Sequence, residues 1–304
     1  MSPRAWLPSY VLLALIWGFS FFFIKVGLES FTPIGVAAGR ITLGLVTLLV
    51  LSVILRTPPP PRWAWRYLLV ASLLWVSVPW MLFGFGETQV SSALAGIINA
   101  ATPLMTLLAI LIAFPEERPT PWRIAGLAIG FLGIVVVVGW GSMTATPLGI
   151  VALIGAIACY GVAFPFARRY LTGPSAREPM APVSLSLGLM VGGLIVTLPL
   201  ALLTGFTHGQ PPAAGPLAAV AALGILGSGL AYVLNIRVTQ RADATTASTV
   251  TYLTPLVAVL AGAVLLGEQI TWNEPVGGAI VVVGAAIAQG VLRPGRRRAA
   301  PHGL

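Results

Sequence analysis

One long stretch of this chain occurs twice. Residues 86–138 and 238–290 align at a constant offset: Pro103 falls on Pro255, Thr102 on Thr254, Leu104 on Leu256, Ala109 on Ala261, Glu116 on Glu268 and Gly126 on Gly278. In each copy an apolar segment opens on small polar residues and carries Thr-Pro at its middle. It then meets a Glu-bearing loop and a second apolar segment rich in Gly and Val. The match continues upstream. Trp80 falls on Tyr232, and with a small gap Trp17-Gly18 falls on Tyr160-Gly161, so that Phe21, Phe23 and Lys25 meet Phe164, Phe166 and Arg168. A match of this length restricts the chain to a duplicated architecture, two halves of similar plan joined near 140–147.

Only 8% of the residues are charged and 57% are apolar, a balance that suits a polytopic membrane protein and not a water-soluble one. A membrane-spanning helix needs about 20 apolar residues. Segments of that kind lie near 9–28, 34–55, 66–85, 91–113 and 122–140, and again near 148–170, 181–203, 214–235, 243–266 and 275–292. The predicted fold is an all-α membrane protein of ten transmembrane helices, in two five-helix inverted-topology repeats around a central cavity. The first repeat covers 1–140, the second 148–292, and a basic tail covers 293–304. The apolar run from Tyr10 to Ile24 is long for a signal peptide and no A-x-A-like site follows it, so it reads as a retained first helix.

The arginines test this count. With the N-terminus cytoplasmic, the inner segments carry Arg4; Arg56, Arg62 and Arg66; Arg118 and Arg123; Arg168, Arg169 and Arg177; Arg237 and Arg241; and Arg293, Arg296, Arg297 and Arg298. Outside these, Lys25 and Arg40 remain, both within the first two spans. One helix more or fewer would scramble the alternation, so the positive-inside rule places both termini in the cytoplasm. The net charge of +9 then reflects topology and calls for no nucleic acid. Repeats of five spans enter the membrane from opposite sides, which makes the halves an inverted pair. The Pro-rich linker from Arg56 to Arg66 is stiff, with Trp63 and Trp65 at headgroup depth, and Arg293–Arg298 suits anionic lipid.

Chemistry has few places to reside. Proline lacks an N–H and clashes with the carbonyl four residues back, so Pro103 frees the carbonyl of Asn99 and Pro255 that of Thr251. Matching interruptions in corresponding spans point to a transporter's central site, with Pro103 and Pro255 as hinges; the alternative is a packing kink. Trp17 and Tyr160 share a position, with Phe21 and Phe164 one helical turn on. Trp75, Trp80, Tyr232 and Tyr252 add amphipathic rings that want a polar partner when dry. Together they suit a flat or greasy substrate, against the alternative of core or lipid-facing bulk. Asn99, Asn235, Thr102, Thr251 and Thr254 are the polar contacts, although Thr102 and Thr254 can equally bond back within their own helix. Arg40 is the most expensive residue, a charge well inside the second span. It either receives a carboxylate or snorkels and binds a neighbouring helix's carbonyls. Lys25 reads as an interfacial pair with Glu29.

The acidic residues lie at span ends or in loops, so no mid-membrane carboxylate offers itself as a proton carrier, and transport is expected to be facilitated. Neither His208, in a Gly/Pro loop, nor His302, in the tail, looks like a relay, and Cys159 stands alone. There is no H-E-x-x-H, nucleotide loop or triad, so neither enzyme activity nor a cofactor is expected.

Ile16-Trp-Gly-Phe-Ser-Phe21, Ala100-Ala-Thr-Pro-Leu104 with the Glu116 loop, and Leu253-Thr-Pro-Leu256 with Gly267-Glu268 make the chain resemble the drug/metabolite transporter superfamily. Within it the resemblance is to ten-helix EamA-type exporters, and among these to YddG-type exporters of aromatic and other nonpolar amino acids. It covers nearly the whole chain. It implies a bacterial inner-membrane carrier exporting aromatic or hydrophobic amino acids by alternating access, its partners being a small substrate and the bilayer. An organic-anion or nucleotide-sugar carrier, a multidrug exporter and a non-transporting scaffold are the alternatives. Oligomeric state is left open.

Overall fold

The computed structural model describes residues 6–113, 120–139, 145–172, 177–178, 180–241 and 249–288. The inner Glu116–Arg118 loop, the joint at 140–144, Arg4 and the basic tail lie outside the described residues. Helix α1 covers Leu7–Gly27 and α2 Pro33–Ile54. The third passage is composite: a 3-10 turn at Arg62–Ala64, α3 Trp65–Ser72, a π-helical segment Leu73–Ser77 and α4 Val78–Gln89. The fourth is broken into α5 Ser92–Asn99 and α6 Thr102–Ala113. Helix α7 covers Pro121–Gly139, α8 Pro147–Ala167 and α9 Pro182–Thr204. The eighth passage joins α10 Ala214–Ala222, a π-helical segment Leu223–Leu230 and α11 Ala231–Arg241. A 3-10 turn at Thr249–Tyr252 leads into α12 Thr254–Leu265, and α13 covers Asn273–Ala288.

Seven of these helical stretches are long and apolar enough to cross a membrane, and the shorter apolar helices 121–137, 250–265 and 273–288 bring the described residues to ten passages. Many starts follow one local rule. Proline stands in the first turn of α1, α2, α4, α8, α9 and α12, where its missing N–H goes unneeded. Thr32, Ser91 and Thr146 cap α2, α5 and α8 by accepting from the main-chain N–H three residues on. Val53, Ile112, Leu203 and Val264 are exposed by 74–84%, apolar surface that belongs in hydrocarbon.

Glycines set the closest approaches. A Cβ on Gly18 would collide with the Val257 side chain, and one on Gly161 would stand 2.7 Å from the Met105 carbonyl carbon. Gly18 matches Gly161 and Met105 matches Val257, so one contact is made twice. Gly126 meets Gly284 and Ala288, and Gly133 meets Gly277 and Val281. The small residues of α7 thus pack within the chain, against α13. Higher numbers on one helix meet lower numbers on the other, so these corresponding helices run antiparallel, as inverted repeats require.

At one end of the bundle the loops are tied together. The Thr32 N–H donates to the Phe206 carbonyl (3.0 Å), Phe31 and Thr207 form an isolated β-bridge, and Thr146 Oγ1 donates to Gln89 Oε1 (3.1 Å). Lys25 does not engage Glu29 there. Its Nζ donates to the carbonyls of Glu87 (2.6 Å) and Val90 (2.8 Å), where the dipole of α4 is negative.

Candidate functional site

Arg40 is the eighth of the 22 residues of α2. Its Nε donates to Ser228 Oγ of the second π-helical segment (3.1 Å). Its guanidinium carbon lies 3.9 Å from the centre of the Trp80 ring, a cation–π contact. Trp80 Nε1 donates in turn to the Tyr160 hydroxyl (3.0 Å). Phe83 stacks on Tyr160 with ring centres 6.0 Å apart, and Phe21 meets Phe83 edge-on at 5.9 Å. Tyr232 also lies within electrostatic reach of Arg40. Ser228 of the eighth passage and Trp80 of α4 thus meet the Arg40 guanidinium directly, and Tyr160 of α8 joins through Trp80.

Arg40, Tyr160 and Tyr232 are each half-buried. The guanidinium lies over the indole, and its Nε is satisfied by Ser228. Of the described protein groups, only Ser228 is within hydrogen-bonding distance of the guanidinium, leaving its terminal amino groups available to a bidentate acceptor. A separate crevice of about 320 Å³, lined by residues such as Pro33, Met81 and Phe85, holds none of the expected site residues. It is an apolar furrow at the bundle edge.

The other expected residues scatter. Trp17 is half-buried and packs with Leu13, Ala231, Leu234 and Val250, away from its counterpart Tyr160. Phe164 is 41% exposed and meets Trp75 edge-on at 4.6 Å, forming a second aromatic pair at the periphery. Tyr252 packs against the main core, Asn99 is half-buried at the end of α5, and Asn235 is half-buried midway along α11.

The two prolines differ from the expectation. Each stands in the first turn of a new helix, so neither kinks a continuous one. The carbonyls of Asn99 and Thr251 are not left free: the hydroxyls of Thr102 and Thr254 donate to them at 2.7 and 2.9 Å. This is the back-bonding that the Thr-Pro pair permits, and it occurs identically in both copies.

Sequence reasoning missed Ser228, Phe83 and Glu87. Phe83 had a signal, since it stands one turn after Trp80 on the same face. Ser228 lies among Gly227 and Gly229, and nothing local marks it as the partner of an arginine 188 residues away. Glu87 stands at a span end, in the last turn of α4, yet its side chain is wholly buried.

Comparison with known proteins fits this architecture. A model of the EamA-like transporter family matches residues 5–139 and, a second time, 147–289. An uncharacterized inner membrane transporter, YedA, of Escherichia coli K12 is 27% identical over 86% of this chain and 83% of its own length. A probable terminal-alkyne amino-acid exporter of Streptantibioticus cattleyicolor is 27% identical over 100% of this chain and 99% of its own. A solved crystal structure shares the fold at a TM-score of 0.63 with 19% identity, covering 95% of this chain and 98% of its own.

Proposed function

This chain belongs to the EamA-like transporter family, and from that premise we propose that it exports aromatic or other hydrophobic amino acids by alternating access. The observation that carries the reading is the Arg40 guanidinium lying on Trp80 beside Tyr160. A substrate carboxylate takes the open donor edge of Arg40, and its side chain lies among the rings of Trp80, Tyr160 and Tyr232. A cation held against aromatic faces in a site shielded from water binds a carboxylate more strongly than the same charge in water. The surrounding rings select a flat, apolar side chain for the rest of the substrate. Asn99 and Asn235 contribute amide oxygens to the substrate's ammonium group.

Transport follows the substrate's own gradient. The two repeats, 1–140 and 148–292, rock about the Pro103 and Pro255 breaks and the paired π-helical segments, where backbone hydrogen bonding is already irregular. The protein resides in a bacterial inner membrane with both termini cytoplasmic, its role being carriage and not catalysis. The similarity to an amino-acid exporter and the arginine distribution support this reading.

The test is counterflow of labelled tryptophan in proteoliposomes of purified protein. Tryptophan should exchange, and leucine should compete with it. Exchange of an organic dianion without tryptophan would replace this reading with the anion-carrier one, which Arg40 also permits. No exchange of either would overturn both.

A further inference from the structure

The end of the bundle that holds Lys25 also holds an acid with an unusual environment. Glu87, in the last turn of α4, is 0% exposed, and neither carboxyl oxygen has a protein hydrogen-bond partner. Lys25 of α1 stands nearby, but its ammonium is committed to the main-chain carbonyls of Glu87 and Val90. The other charges acting on Glu87 are Glu268, from the loop between α12 and α13, and Arg40, from α2. Glu268 is itself engaged. Its carboxylate accepts from the Ser92 N–H (2.7 Å), the Ser92 hydroxyl (3.0 Å) and the Ala93 N–H (3.1 Å), sealing the start of α5 beside the end of α4. Helix α8 brings uncharged packing here, Leu153 and Gly149 against Gly86.

We infer that Glu87 is a proton-binding site that latches this end of the transporter shut: the sealed conformation binds one proton at Glu87, and opening releases it. An ionised carboxylate without water or a donor carries a large desolvation cost, whereas a neutral carboxyl is tolerated in the same place. The elements that seal Glu87 are the ends of α1 and α4, the start of α5 and the Glu268 loop. Alternating access at this end has to part them. Water would then reach Glu87, which ionises and gains Lys25 as a counter-ion. The sealed state holds one proton more than the open state, so lower pH favours sealing and higher pH favours opening. The arginine distribution puts this end outside the cell, so the latch reads external pH. The inference rests on the alternating-access reading. It adds regulation by protons and leaves the driving force with the substrate.

The test needs no substrate. On a Cys159→Ser background, single cysteines replace Val90, which is 3% exposed in the sealed structure, or Thr88, which is exposed. Maleimide labelling of the first is divided by that of the second at each pH, which cancels the thiol's own titration. In detergent, the ratio should rise severalfold between about pH 5 and pH 8, the range over which a shielded carboxyl in a folded protein can titrate. With Glu87→Gln, neutral at every pH, the ratio should stay low and flat. Glu87→Asp, which keeps the titrating group, should retain the rise. A flat ratio in the otherwise wild-type protein, or an unchanged rise in Glu87→Gln, would overturn the inference. Intact pH-dependent labelling in a protein that carries no amino acid would overturn the substrate reading alone.

Discussion

Trp17 and Tyr160 hold the same place in the two halves and have separate fates. Tyr160 joins Trp80, Arg40 and Phe83 at the centre, while Trp17 packs into the α1–α11 cluster. Phe21 and Phe164 diverge likewise, one buried and the other 41% exposed. The backbone-level matches behave differently. Gly18 and Gly161 admit the matched residues Val257 and Met105, and Thr102 and Thr254 bond back in the same way. Duplication has preserved the residues that govern how backbones approach and break. Aromatic and charged side chains differ between the halves, and the proposed site for an asymmetric molecule calls for one arginine, not two. The eighth residue of α2 is Arg40; the eighth of α9 is Leu189, fully packed.

The largest effect should come from that asymmetric pair. Arg40→Ala should lower tryptophan counterflow by about a hundredfold, since removing one partner of a shielded charge contact costs about 2–5 kcal/mol. Leu189→Met, a volume-conserving change, should cost less than about 1.5 kcal/mol of stability and leave counterflow near wild type. Equal losses at both places would mean that the site is not confined to one half.

Next come the matched glycines. Gly18→Val and Gly161→Val should each destabilise by about 1–3 kcal/mol through overpacking, read as lowered unfolding temperature in detergent. Similar losses support a common scaffold; a loss in only one half would break the correspondence.

The scaffold was legible in the sequence for a physical reason. A bilayer demands a fixed apolar length and the positive-inside rule fixes parity, so ten passages could be counted from segments such as 34–55 and from the arginines between them. The helix breaks were marked by Thr102-Pro103 and Thr254-Pro255, and Arg40 by the cost of burying charge. Which aromatic rings meet was not legible. A helix in water shows its inner face by an apolar stripe, but here the outside is apolar too, and α1 or α8 carries apolar side chains all round. Trp17 and Phe164 were therefore indistinguishable from Tyr160 and Phe21. The lysine contact failed for another reason. Glu29 was the local candidate for Lys25, yet the actual partners are main-chain carbonyls 62 and 65 residues on, which no side-chain pattern reveals.

Subtler tests address single hydrogen bonds. Tyr160→Phe removes the acceptor of the Trp80 N–H and should cost about 1 kcal/mol of substrate affinity, a rise of about fivefold in half-saturating tryptophan. Trp17→Phe at the matching place should change it less than about twofold, because that ring packs into an apolar cluster that phenylalanine also fills. Smallest are Thr102→Val and Thr254→Val. Each frees a helix-break carbonyl from its hydroxyl and should lower stability by about 0.5–1.5 kcal/mol, equally in the two halves.

The most direct measurement is competition against labelled tryptophan counterflow by tryptophan and by tryptamine, which keeps the ring and amine but lacks the carboxylate. In the wild-type protein tryptophan should compete and tryptamine should not, and in Arg40→Leu, which gives α2 the residue that α9 already has, that discrimination should vanish while the protein stays folded. Discrimination that persists unchanged in Arg40→Leu would contradict a carboxylate site at Arg40.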